Sequence, residues 1–162
     1  ASRKKYMGQW KYLALAALFS GCTSQPAKIE SFQCAEGVSP KECRIECLRH
    51  FTTEDPDFQR YDANGWLVAV KMTEKDRWLW AFTPASHPAH PAVIRRSLFW
   101  LPTASRIETV VLCGFEDEAR CQAFLDEVSR NNDAIREMGY PEEPAYYMYE
   151  VIQTLREVEW GA

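Results

Sequence analysis

Three histidines, six cysteines and acidic pairs such as Glu116-Asp117 and Glu142-Glu143 are the side chains best equipped for chemistry. His87 and His90 sit three residues apart in a proline-rich stretch, far from His50. Two loop imidazoles without a third ligand do not specify a metal site. The cysteines are Cys22, Cys34, Cys43, Cys47, Cys113 and Cys121. None forms a Cys-x-x-Cys pair, and no His pair lies near Cys43 and Cys47, which argues against zinc. A Ser or Cys could be matched on paper to any of the three histidines, so no triad is specified. Glu116-Asp117 and Glu142-Glu143 fall where helices are expected to begin, and there they suit the positive end of a helix better than acid–base catalysis. A Gly-rich phosphate loop, a Gly-x-Ser-x-Gly elbow and a paired-His zinc helix are all missing from the sequence. These readings assign no catalytic residue, no metal and no cofactor.

One segment stands apart. Residues 83–96 read Thr-Pro-Ala-Ser-His-Pro-Ala-His-Pro-Ala-Val-Ile-Arg-Arg. Proline bars this stretch from a regular ladder, and it is long for a hairpin loop. The plain reading is a surface connection that merely spans the sheet; the functional one is that a stiff connection loses little entropy on binding, so that His87, His90, Arg95 and Arg96 form a partner-binding loop. Trp66, Trp78, Trp80 and Trp100 are a second candidate, a stacking groove for sugar or peptide, although such a stripe more often builds a core.

The N-terminus carries the strongest signal. Arg3, Lys4, Lys5 and Lys11 precede an apolar run, Tyr12 to Phe19, followed by Ser20, Gly21 and Cys22. Eight apolar residues make a helix of about 12 Å, too short for a hydrocarbon layer of about 30 Å. A basic start, a short apolar stretch and small residues before a cleavage point make a signal peptide. Leu18-Phe19-Ser20-Gly21-Cys22 resembles the lipobox of bacterial lipoproteins. The resemblance covers only this segment. It implies cleavage before Cys22, with diacylglycerol on its sulfur and an acyl chain on its new amine. Thr23 resembles the residue found in lipoproteins sent to the outer membrane. The expected organisation is a signal peptide at 1–21, a lipidated Cys and tether at 22–33, and a single domain at 34–162. The expected location is the bacterial envelope, anchored by lipid to the outer membrane and facing the periplasm.

Composition bounds the body. The whole chain is 46% hydrophobic and 13% aromatic, enough for a packed core. Its net charge is −4, and removing the four cations of residues 1–21 takes that to −8. An acidic body argues against nucleic acid and is compatible with a basic protein partner. With Cys22 lipidated, five cysteines remain, and two disulfides are expected in an oxidising compartment. The preferred pairs are Cys113 with Cys121, and Cys34 with either Cys43 or Cys47.

Periodicity supplies the elements. Ser39-Pro40-Lys41-Glu42 opens a helix carrying Cys43, Cys47, Leu48 and Phe51 on one face. Strands are expected at 66–72 and 77–82, joined by a turn at 73–76, and again at 97–101 and 106–113. Cys121, Phe124, Leu125, Val128, Ile135 and Met138 keep helical spacing toward Gly139, with Asn131-Asn132 as a possible break. Met148, Val151, Ile152, Leu155 and Val158 form the apolar stripe of a last helix opened by residues 141–144. The expected fold is α+β, an antiparallel sheet of about four strands with about three helices packed on one face, braced by disulfides.

Two functions from different classes suit these features. The first is a membrane-tethered periplasmic lipoprotein that binds another protein without catalysis, as an envelope assembly, secretion or conjugation accessory, or as an immunity protein. The alternative is a tethered enzyme acting on cell-wall material, or a sugar- or peptide-binding lipoprotein.

Overall fold

A computed structural model describes residues 32–73, 77–101, 104–138 and 144–160. The expected signal peptide, Cys22, most of the tether, the 74–76 turn, Gly139 and the 141–143 helix start lie outside these residues.

The element order is α1 (Pro40–Glu54), β1 (Phe58–Ala63), β2 (Trp66–Met72), β3 (Arg77–Phe82), β4 (Ala92–Leu101), β5 (Ala104–Cys113), α2 (Glu118–Glu137) and α3 (Pro144–Val158). Helix α1 starts as its sequence dictates. The Ser39 hydroxyl accepts from the Glu42 amide at 3.2 Å, and Pro40 fills the first turn, where no amide donor is needed. Asp117 caps α2 by accepting from the Arg120 amide at 3.0 Å. Between β1 and β2, Asn64 and Gly65 both take positive φ, 52° and 82°. A two-residue hairpin turn matching the twist of its strands requires that conformation.

All five strands pair with their neighbours in sequence, antiparallel, in the order β1-β2-β3-β4-β5. The register puts Arg60, Ala69, Trp80, Arg95 and Val110 in one row across the sheet. Because side chains alternate between faces, this row and its even-spaced neighbours define one surface. Helix α1 covers part of it, packing Ile45, Leu48 and Phe51 over Phe58, Ala69, Phe82 and Val93. The opposite face carries Trp66, Val68, Val70, Leu79, Ala81 and Ile94, buried beneath Phe124, Val128 and Ile135 of α2 and Met148, Val151 and Leu155 of α3. Each such side chain, fully buried, contributes about 1.5–3 kcal/mol.

The α+β class, the antiparallel sheet, the three helices and the disulfide bracing hold. The sheet has a fifth strand, however, and the helices divide between both faces. Strand β1 is hard to read because only Phe58 of its six residues is buried, so hydrophobic alternation is missing. Helix α1 joins the opposite face because Leu67, Ala69, Phe82 and Val93 make that surface apolar as well. Strand β4 starts at Ala92, five residues earlier than expected, which shortens the connecting loop to residues 83–91. Asn131 and Asn132 do not break α2; their amides are occupied by buried polar groups. Val158 is exposed and lies off the buried stripe of α3.

Candidate functional site

The shortened loop is tied down. The Thr83 amide donates to Ala92 O at 3.0 Å, and the Ala92 amide donates back to Thr83 Oγ1 at 2.9 Å. Arg120 of α2 lies over the Phe115 ring, 3.9 Å from its centroid, and donates to Pro88 O and, at 2.6 Å, to His90 O. Backbone carbonyls that a loose loop would turn to water are held by a guanidinium instead.

His87 is wedged edge-on between Trp66 and Phe124, with ring centroids 5.2 and 5.4 Å away. Its Nδ1 accepts from the Ala89 amide at 3.1 Å, which places the neutral ring's proton on Nε2, 3.5 Å from Glu127 Oε1. His90 Nδ1 donates to Thr83 O at 2.9 Å. Each imidazole is engaged with the backbone, and the two serve separate local contacts. His50 lies on α1 beside Phe32. Among the described residues, no three His, Cys, Asp or Glu side chains converge as metal ligands do.

The arginine pair splits across the sheet. Arg96 points under α2 and α3 and is 0% exposed. Its two terminal nitrogens donate to both oxygens of Glu159, at 3.2 and 2.6 Å, and its Nε donates to Asn132 Oδ1 at 2.9 Å. The Asn131 amide adds a bond to Glu159, and the Asn132 amide donates to Thr109 Oγ1 at 2.9 Å. Arg96 is therefore corrected from a loop contact to a core residue. It sits in the middle of a strand, and a buried guanidinium requires a matching carboxylate and acceptors. Arg95 faces the other way, its guanidinium 5.8 Å from the Trp80 ring centre. It too is a strand residue.

The four tryptophans do not share one groove. Trp66 lies on the α2/α3 face, while Trp78 and Trp80 lie on the α1 face. The side chain of Trp100 is outside the described residues.

Disulfides join Cys34 to Cys43 and Cys113 to Cys121, with Cα atoms 5.5 and 6.0 Å apart. The first resolves the alternative left open by the sequence. Cys47 is buried within α1 and belongs to neither pair. The second staples the end of β5 to the first turn of α2.

Lys71 also lies on the α1 face, its side chain only 7% exposed, with Asp55 at 3.1 Å and Asp57 at 3.3 Å. Its ammonium lies 5.5 Å from the Phe58 ring centre. Burial pulls the lysine pKa down, but hydrogen bonds and charge from Asp55 and Asp57 outweigh that and raise it above the ordinary 10.5.

What remains is the part of the α1-side face outside that cluster, on β4 and β5. Val110 is 50% exposed and Phe99 45% exposed on this surface. In the row of Val110, Arg95 Nε and Trp80 Nε1 are buried donors with no acceptor, and Trp80 belongs to the cluster packed by α1. Buried donors are nearly always satisfied, and leaving one unmade costs about 1–3 kcal/mol. Two adjacent exceptions, on neighbouring strands and with half-exposed Val110 next in the same row, form the best candidate contact surface among the described residues. Sequence reading missed it, because it exists only through the register that opposes Trp80, Arg95 and Val110. No family model, no curated protein and no solved structure matches this chain.

Proposed function

We propose that this chain is a lipid-anchored envelope protein that binds another protein through the open part of its α1-side sheet face and catalyses no reaction. The lipobox-like segment ending at Cys22 supports the anchor, to the outer membrane on its periplasmic side. Two disulfides in the body suit an oxidising compartment. The observation that carries the binding reading is the pair of unsatisfied donors, Trp80 Nε1 and Arg95 Nε, in one row with half-exposed Val110, with half-exposed Phe99 farther along β4 on the same face. A partner segment would cover Val110 and Phe99 with an apolar side chain, and a carbonyl or carboxylate oxygen that reached the donors as the Arg95 side chain moved aside would remove their cost. Aromatic and arginine side chains of this kind recur as anchors of protein interfaces. The acidic body would favour approach of a basic partner over longer range. Roles of this type include assembly, secretion or conjugation accessory, and immunity to a toxin.

Two measurements test the reading. Intact mass of the protein extracted from its host membrane should show cleavage before Cys22, added acyl chains and two disulfides. A Cys22→Ser form should lose acylation and membrane fractionation; unchanged behaviour would remove the anchor. A photo-crosslinking residue at position 110 or 99 should trap one discrete partner in the living host, while the same residue at Tyr149, on α3, should not. An identical pattern from both faces, or no adduct at 110 and 99, would remove the binding surface.

A further inference from the structure

Strand β5 is one edge of the sheet and spans ten residues, Ala104–Cys113. Long open edges template pairing with another chain unless they are blunted or covered. The other edge, β1, has six residues. The parity of the β4–β5 ladder shows which groups of β5 face outward. Gly114 N donates to Pro91 O at 2.8 Å, and the register pairs Ala92 with Cys113 and Phe99 with Arg106. Narrow and wide pairs alternate in an antiparallel ladder. Arg106, Glu108 and Val110 therefore direct their backbone groups at β4, and Ile107, Thr109 and Val111 direct theirs away from the sheet. Among the described residues, no hydrogen bond takes up those outward groups.

The charges on this edge are self-complementary. Arg106 and Glu108 share the α1 face, 2.8 Å apart, both exposed. We infer that two copies of this chain pair antiparallel through β5 about a twofold axis at Ile107. In that register Ile107 meets its own copy in a hydrogen-bonded pair, and Thr109 meets Ser105 in two more, giving about six backbone bonds. Arg106 of each copy then opposes Glu108 of the other in the non-hydrogen-bonded positions, where side chains approach most closely. Sliding the axis to residue 106 or to residue 108 would set Arg against Arg or Glu against Glu, and like charges directly opposed are destabilising. The interface is isologous, as twofold association requires. The pairing joins two five-stranded sheets into one and places the two Val110 residues about 20 Å apart on a common face. It uses the strand edge, so it does not depend on the partner-binding reading.

Charge exchange tests it on the full chain purified in mild detergent, with mass read by sedimentation. Wild type is expected at twice the chain mass. Arg106→Glu alone and Glu108→Arg alone are each expected at the single-chain mass, with circular dichroism unchanged because both side chains are exposed. The double variant, and an equimolar mixture of the two single variants, should each return to the doubled mass, since both restore opposed charges. Wild type at the single-chain mass overturns the proposal. So does a single variant that stays doubled, or a mixture that fails to recover. Wild type at the single-chain mass with crosslinking at position 110 intact would sink this pairing and leave partner binding standing; wild type at the doubled mass with no adduct at 110 would do the opposite.

Discussion

Arg96 and Glu159 form a two-pronged ion pair between the middle of the sheet and the turn after α3, with both side chains all but sealed from water, at 0% and 1% exposure. The pair has to be complete. Glu159→Gln leaves the guanidinium buried without its countercharge and should destabilise the protein by about 3–5 kcal/mol. Replacing both residues together, Arg96→Met with Glu159→Leu, should cost much less than the sum of the single changes. Urea unfolding of the four forms in a double-mutant cycle measures the coupling, and additive losses would contradict the geometry described.

The lysine on the opposite face makes a prediction about alkaline pH. Because Asp55 and Asp57 hold the folded-state pKa of Lys71 above its ordinary 10.5, the charged lysine stabilises the fold fully below the unfolded-state value. That contribution fades as pH climbs through the raised folded value. The stability difference between wild type and Lys71→Met should be flat through neutral pH and narrow above about pH 10.5. A difference that grew in that range would reverse the assignment.

Gly114 should resist any side chain. A Cβ there would stand 2.8 Å from Pro91 Cγ, 2.9 Å from Pro91 O and 2.9 Å from Ile45 Cδ1. One of these is backbone and cannot swing aside. Gly114→Ala should cost about 1–3 kcal/mol through overpacking between α1 and the 83–91 loop. Thermal unfolding checks it, with Gly37→Ala as a control where nothing lies within 4 Å, although its φ of 85° adds strain of its own.

The staple between Cys113 and Cys121 closes a short loop, its two cysteines eight positions apart. Cys113→Ser with Cys121→Ser should lower stability by about 2–3 kcal/mol, near the lower part of the range for native disulfides. The loss should vanish when both proteins are compared under full reduction.

Much of this architecture is legible in the residues. Ser39-Pro40 and Asp117 mark helix starts because their side chains cap locally, within a few residues of chain. Val68, Val70 and Leu79 announce strands because they stand in short apolar runs rich in β-branched and aromatic residues, buried on both faces. The features that escaped depend on distant contacts. Arg95 and Arg96 are adjacent in sequence, and nothing local reveals that one lies over Trp80 while the other meets a carboxylate 63 residues away. Asn131-Asn132 read as a helix breaker because amides prefer turns; buried polar partners override that preference. Strand β1 went unread because a polar edge strand carries no hydrophobic alternation; the local signal that could have found it is the hairpin dipeptide Asn64-Gly65. The open patch at Val110 required knowing which rows of the sheet α1 leaves bare.

The order of the strands also sets a timetable. Each hairpin can close as soon as its second strand leaves the ribosome or a translocation pore, because no strand waits for one from another part of the chain. Arg96 is the exception. At synthesis rates of about 5–20 residues per second, its counterion follows it by about 3–13 s. During that interval the guanidinium has to stay in water, so the meander can form early while its α2/α3 side remains ajar. The cell therefore has several seconds in which this half-built molecule is open to chaperones and proteases, and a single carboxylate near the end of the fold brings that period to a close.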